Sequence, residues 1–395
     1  MTISRRRFVA LSGSTVSTLA LGRRAAFAAS ASERENAKVR AAVEAAIKPI
    51  VAQYAIPGLA VGVTIEGRRH FVEVGHASLK PRTPATRDTL FELGSISKTF
   101  TATLASLAAE EGKLAFSDTV GQHMPELAKT PVGDVRLLDL ATHTAGGFPL
   151  QLPAEVKTEE QLIAWYRAWT PQYVPGAMRT YSNPGIGLLG KVTARALGER
   201  FTELAEGGLF PGLGLTRTYL NVPERELVSY AWGTNRNGRR VRMGLSPIAT
   251  EAWGVKSNTA DMLRFLEVNM GQHDVPAELA RAVAATHTGY YRAGPFIQDL
   301  IWEQYPMPAA LDAMLTGNAS EMALKPQPAT AIQPPMPPRA DVILNKTGST
   351  AGFGAYVFAL PEKQFGIVML ANKPYPNEAR TRAAYDVMTR VIGAN

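Results

Sequence analysis

The chain reads as an α+β protein in which an antiparallel sheet, flanked by helices, is assembled from the N- and C-terminal parts with an all-helical region inserted between them. Three observations predict this. Sheet-forming segments lie near both ends, and helical periodicity dominates the middle. With 46% hydrophobic and 19% charged residues over 395 positions, the chain can also bury a large core. No fixed-period repeat or low-complexity tract points to a solenoid or to disorder.

The elements follow in order. An Ala/Glu/Lys-rich helix is predicted over 32–53, and Pro57-Gly58 stops it. Residues 59–65 form a β-branched, buried strand, and Glu66-Gly67 turns it into a second strand over 70–74. Leu90-Phe91-Glu92-Leu93-Gly94 leads to Ser95 and a long helix over 96–111. From Asp118 to about Met243, helices over 137–142, 159–169 and 186–196 are separated by Pro, Gly and Asn clusters. A Thr/Asp start opens a helix over 259–269. Strands return at 342–345, 356–360 and 366–371, the last two joined through Pro361-Glu362-Lys363-Gln364, before a final helix over 378–392. The expected organisation is a leader over 1–28, an α/β lobe from about 32–110 and 245–395, and a helical lobe over about 111–244. A site is expected in the cleft between the lobes.

The formal charge of +8 does not indicate a nucleic-acid or membrane partner. Residues 1–28 contain Arg5, Arg6, Arg7, Arg23 and Arg24 and no acid; without them 37 basic residues face 34 acidic ones. Ser4-Arg5-Arg6-Arg7-Phe8, a short apolar run and Ala26-Phe27-Ala28 read as a twin-arginine export signal, so a periplasmic location is expected. The absence of cysteine excludes thiol nucleophiles, thiolate metal sites and disulfides. The six histidines show no zinc-binding spacing and there is no Gly-x-Ser-x-Gly elbow, so neither a metal nor a cofactor is expected.

Three motifs carry chemistry. In Ser95-Ile96-Ser97-Lys98 a helix start puts Lys98 one turn on, on the face of Ser95, where a lysine of lowered pKa can deprotonate the hydroxyl. Tyr181-Ser182-Asn183 offers a phenol that nearby lysines can turn into a proton relay, and an amide that can donate to a substrate carbonyl. Lys346-Thr347-Gly348-Ser349 ends a strand; Lys and Thr can hold a carboxylate, Gly lets a ligand approach, and Ser349 can add an N–H to that of Ser95 in an oxyanion hole. Each motif alone is also read blandly, as a capped helix, a loop tip and a guarded edge strand.

Together, in this order, the three motifs resemble the signature of penicillin-recognising serine enzymes. The chain further resembles class C, AmpC-type β-lactamases along the mature sequence. Gln151 in Pro149-Leu150-Gln151, Thr144-Ala145-Gly146-Gly147, Gly254-Val255-Lys256-Ser257, and the segment from Phe365 through Asn377 to Arg380 carry that likeness. The resemblance implies a β-lactamase/transpeptidase-like fold and hydrolysis of β-lactams, cephalosporins favoured, by a monomer. It implies Ser95 as nucleophile, Lys98 and Tyr181 as a coupled proton-transfer pair, and Lys346 with Thr347 at the substrate carboxylate. Gln151 and Asn183 would bind the acylamino side chain, with Asn377 and Arg380 at the carboxylate end.

Trp253 stands where the family usually has Tyr, as a wall of the acyl pocket or as a core aromatic. Arg236, Arg239, Arg240 and Arg242 crowd the segment matching the family's omega loop, as a steering patch or a solvated face. Two alternatives keep the same acylation residues, namely a DD-peptidase or β-lactamase-like esterase, and a non-catalytic penicillin sensor.

Overall fold

The computed structural model describes residues 15–393, with side chains from Ser32 onward, so the leader read over 1–28 lies outside the residues described in full. Among the described residues, eleven strands form one sheet, and each pairing in it is antiparallel. Its centre consists of β1 (Gly58–Ile65), β2 (Arg68–Leu79), β3 (Val342–Ser349), β4 (Gly354–Leu360) and β5 (Phe365–Ala371), in the spatial order β2-β1-β5-β4-β3. N- and C-terminal segments therefore meet side by side, Val61 opposite Met369 and Thr347 opposite Tyr356.

The period of two along these strands builds two cores. Leu59, Val61 and Val63 of β1, Tyr356 and Phe358 of β4, and Ile367 and Met369 of β5 pack on one face against Val39, Val43 and Ile47 of α1 (Thr15–Tyr54). The alternate residues, Ala60, Leu344, Val357 and Val368, pack on the other face against Phe100, Leu263 and Phe265. These belong to α2 (Ser97–Glu110) and α4 (Thr259–Asn269); α3 (Asn183–Leu197) lies beyond α2, and α5 (Asn377–Ile392) covers the α1 face. Burial on both faces explains why the strands read as continuous apolar runs.

Helix α2 joins sheet to helical region. Phe100 and Leu104 enter the sheet-facing core, while Ala102, Ala105 and Ala108 enter a third cluster with Leu137, Leu162, Tyr166, Ile186 and Leu189. Small residues on that side let α3 pack close, and Gly190 of α3 lies against the side chains of Thr101 and Glu251.

Several elements differ from expectation. β2 runs on to Leu79, and α3 begins at Asn183 because Ser182 caps it, its Oγ accepting from the Gly185 N–H at 2.9 Å, with Pro184 in the first turn. The sheet also extends beyond β3 through Glu303–Pro306, Phe296–Gln298, Gly289–Ala293 and Gln327–Met336, which the sequence reading left without structure. Met178–Arg179 of the middle region pairs with Gln327 and Pro328, so the sheet itself reaches the segment carrying Tyr181.

Candidate active site

The site forms where α2 begins, β3 ends and the segment before α3 passes between them. Lys346 shares the parity of Val342 and Leu344, which places it on the α2 face of the sheet. Gly348 has the same parity, and a Cβ there would stand 1.9 Å from the Leu93 carbonyl oxygen. Ser95 lies in a 3-10 turn, Gly94–Ile96, that leads into α2. Gly94 holds φ +55°, and a Cβ on it would lie 2.5 Å from the Ser349 nitrogen. These two glycines let the Ser95 turn and the end of β3 touch backbone to backbone.

Lys98 is fully buried and its Nζ donates to Ser95 Oγ at 2.9 Å and to the Ala252 carbonyl at 2.8 Å. Burial brings its ammonium down to about 8; Lys346 acts in the same direction and Tyr181 opposes it. Lys346, also buried, donates to the Thr347 carbonyl at 3.1 Å. The Tyr181 ring lies among three cations, with Lys346 Nζ at 5.1 Å, Lys98 Nζ at 5.3 Å and the Arg179 guanidinium at 5.4 Å from its centroid. Burial alone would raise the phenol; the Lys346 and Lys98 charges outweigh it and bring it down to about 8. Buried Asn183 Oδ1 has no hydrogen-bond partner among the described residues.

A cleft of about 500 Å³ joins these groups. Ser95, Gln151, Tyr181, Asn183, Trp253, Lys346, Thr347, Gly348, Ser349 and Asn377 all line it, with Lys98 beneath Ser95. Trp253 fits both of its readings, since it walls the cleft and packs partly buried against the helical core. A larger cavity, about 1110 Å³ near Leu104, Glu111 and Leu209, lies apart from the motifs and holds none of their residues.

Arg380 lies behind the end of β3. It is buried, and its guanidinium is spent on backbone carbonyls: Gly348 at 2.7 Å, Ala355 at 3.1 Å, and Tyr375. Through these bonds it braces the β3–β4 end. In the arginine-rich segment Arg236, Arg239 and Arg240 are exposed, as a solvated face requires, and Arg242 is half-buried. Arg240 stacks on Trp232 at 3.7 Å, and Arg242 lies over Tyr230 at 3.8 Å and over Trp232 at 4.2 Å.

Four residues of the site escaped the sequence reading. Arg179 is buried, bonded to Gln298 Oε1 at 2.6 Å and the Met322 carbonyl at 2.8 Å, and paired with Glu303 at 3.0 Å. Arg179 and Glu303 both line the cleft behind Tyr181. The His143 ring lies 4.4 Å from that of Tyr181, and its Nδ1 accepts from the Ser182 N–H. Burial and three nearby cations hold His143 well below its ordinary pKa, so it meets the phenol as a neutral ring. Glu92 is the fourth. Two of its partners, Met243 and Thr350, line the cleft.

The comparisons agree with this geometry. The family model described as Beta-lactamase matches residues 43–389. The chain is 42% identical over 371 residues to a β-lactamase of Lysobacter lactamgenus, covering 93% of this chain and 96% of that one. A solved β-lactamase/D-alanine carboxypeptidase from Pseudomonas syringae is 46% identical with a TM-score of 0.87, covering 89% of this chain and 98% of that one. A class C β-lactamase solved in complex with cefoxitin is 42% identical, also with a TM-score of 0.87, covering 90% and 99%. With likeness of this extent in both sequence and fold, the chain belongs to the β-lactamase family, in its class C branch.

Proposed function

We infer that this chain hydrolyses the amide bond of β-lactam antibiotics, cephalosporins favoured, through a covalent acyl-enzyme on Ser95. The observation that carries the reading is the contact of Lys98 Nζ with Ser95 Oγ at 2.9 Å, in a cleft where Lys98 and Tyr181 are both brought to about 8. Two groups poised near neutrality beside a serine are what acylation requires.

In the proposed sequence the Lys98–Tyr181 pair takes the Ser95 proton as Oγ attacks the lactam carbonyl. The pair titrates as a unit, so the base is the pair. The N–H groups of Ser95 and Ser349 receive the oxyanion. Tyr181 passes a proton to the lactam nitrogen as the ring C–N bond breaks, then takes one from the water that attacks the ester and gives it to Ser95 Oγ as the acyl C–Oγ bond breaks. Lys346 and Thr347 hold the substrate carboxylate, with Asn377 at that end. Gln151 and the unpartnered Asn183 Oδ1 face the acylamino group. Arg380 supports by fixing Gly348 and Ala355.

The arginine-rich leader supports twin-arginine export to the periplasm. No helix among the described residues is long and apolar enough to cross a membrane. We also retain the division into an α/β lobe (32–110 and 245–395) and a helical lobe (111–244), supported by the helical cluster around Leu137, Leu162 and Leu189, although 201–231 packs into the sheet-facing core. A monomer acting on a small molecule, without nucleic acid or cofactor, completes the reading.

A second reading, D-alanine carboxypeptidase, is favoured by the printed name of the Pseudomonas syringae relative. Steady-state hydrolysis of nitrocefin, cephalothin and a D-alanyl-D-alanine peptide decides, with Ser95→Ala as control. We expect rapid cephalosporin turnover that the substitution abolishes. Peptide or p-nitrophenyl ester hydrolysis with nitrocefin left intact would overturn the proposal. A lasting Ser95 adduct by mass spectrometry, without turnover, would mean a sensor.

A further inference from the structure

Glu92 is 1% exposed, three residues before Ser95, and its carboxylate has partners from three separate segments. Oε1 accepts from the Tyr230 hydroxyl at 2.6 Å and from the Met243 N–H at 2.7 Å; Oε2 accepts from the Thr350 hydroxyl at 2.5 Å. Met243 and its successors Gly244 and Leu245 form one rim of the cleft, and Thr350 and Ala351, directly after the Lys346-Thr347-Gly348-Ser349 strand, form a second. Leu245 projects into solvent from the first rim, fully exposed. Glu92 itself pairs with Lys256 across a two-stranded ladder, which anchors it to the frame holding Trp253 and Ser95.

We propose that Glu92 is a positioning residue that sets the width of the catalytic cleft by tying its two rims to one buried carboxylate, and so determines how bulky an acyl side chain is accepted. The proposal rests on the β-lactamase reading given above. Each contact is short, and three donors on a single buried carboxylate leave little freedom for either rim. Tyr230 is fixed in turn by Arg242, which lies over its ring and donates to the Ala231 carbonyl, so the arginine-rich segment buttresses the rim. Hydrogen-bond capacity gives a sharp criterion. A glutamine at 92 can keep Oε1 for Tyr230 and Met243 and donate from Nε2 to Thr350, whose hydroxyl can also accept. Geometry, not charge, is what the rims need.

The test compares wild type, Glu92→Ala, Glu92→Gln and Thr350→Val on nitrocefin, on benzylpenicillin and on a cephalosporin with a bulky oxyimino side chain. Glu92→Ala is expected to change KM for the bulky substrate relative to benzylpenicillin by about tenfold or more, with kcat for benzylpenicillin little altered. Glu92→Gln should restore the wild-type ratio. Thr350→Val should reproduce part of the change in wild type and none of it in the Glu92→Ala background. Val39→Ala, in the core beneath α1, supplies a destabilised control whose ratio should not move. Should Glu92→Ala not fold, Thr350→Val and Glu92→Gln decide between them. Equal effects on all substrates, failure of Glu92→Gln to rescue, or an unmoved ratio in Thr350→Val would overturn the proposal. Absence of nitrocefin turnover in the wild type would instead refute the β-lactamase reading.

Discussion

The electrostatic role of Lys346 can be tested by replacing it with alanine. The Tyr181 phenol is brought to about 8 from an ordinary 10.0. At pH 7 that raises the phenolate from about one molecule in a thousand to about one in ten, equivalent to about 2.7 kcal/mol. Burial works against this change, so the two ammonium groups together supply more than the net effect. Of the two, Lys346 is the larger influence, so it carries at least half of what they supply. Removing it should cost at least about tenfold in phenolate at pH 7, because 1.4 kcal/mol is about a factor of ten. Lys346 also lowers Lys98, so its loss raises both members of the pair. The alkaline-rising limb of kcat/KM should then move from about 8 toward 10, and the deficit should narrow as pH rises. Nitrocefin hydrolysis across this range measures it, with Lys346→Arg as a charge-retaining control whose limb stays near 8. A uniform loss at every pH, with the limb unmoved, would refute the tuning argument and leave Lys346 only as a carboxylate ligand.

The other predictions concern the same frame. Lys98→Met should abolish acylation yet raise the melting temperature, because the folded state holds the ammonium at about 8 against 10.5 free, a cost of up to about 3 kcal/mol below pH 8. The unfolded chain binds the extra proton, so wild-type stability rises between about pH 8 and 10.5, and in Lys98→Met that rise should be shallower; a lowered melting temperature would refute this. Glu303→Gln strips the buried Arg179 of its partner and should cost about 3 kcal/mol or more in denaturant unfolding. Glu303 also raises the Tyr181 phenol, so the same variant should shift the kcat/KM limb downward, opposite to Lys346→Ala. Gly94→Ala puts a methyl 2.5 Å from the Ser349 nitrogen at a left-handed residue, and acylation followed by mass spectrometry should slow about 100-fold in a protein that still folds.

What the sequence makes legible is what local chemistry determines. β1, β4, β5, α2 and α4 carry apolar runs or helical periods with clear stops, and their predicted limits agree with the structure to within a few residues. Gln327–Met336 was illegible for a physical reason. It contains Pro328, Pro334 and Pro335, alternates without an apolar face and is largely exposed, and it becomes a strand by pairing with Gly289–Ala293 and Met178–Arg179. The three motifs are legible because residue type and order are specific, and the fold brings them to one cleft. Arg179 is not, because its value depends on Glu303, 124 positions away, and a lone charge announces no partner. Arg380 shows the converse, since a residue shared with the family's terminal motif turns out to hold backbone carbonyls.

The charge pattern of the cleft follows from these placements. Arg179 has Glu303 as its counter-ion, whereas neither Lys98 nor Lys346 has a carboxylate partner among the ion pairs of the described residues. Two buried ammonium groups without counter-ions are expensive, and a core of their volume packed with apolar side chains would be more stable. The cost is reduced in two ways within the protein, by lowering Lys98 toward neutrality and by drawing negative charge onto Tyr181. The remainder is an unmet positive potential facing Ser95, which an anionic substrate satisfies on binding. Under the proposed function, a β-lactam would bring that carboxylate to the Lys346-Thr347 end with its carbonyl at Ser95. The ground-state expense of the lysines is thereby converted into orientation of the reacting bond.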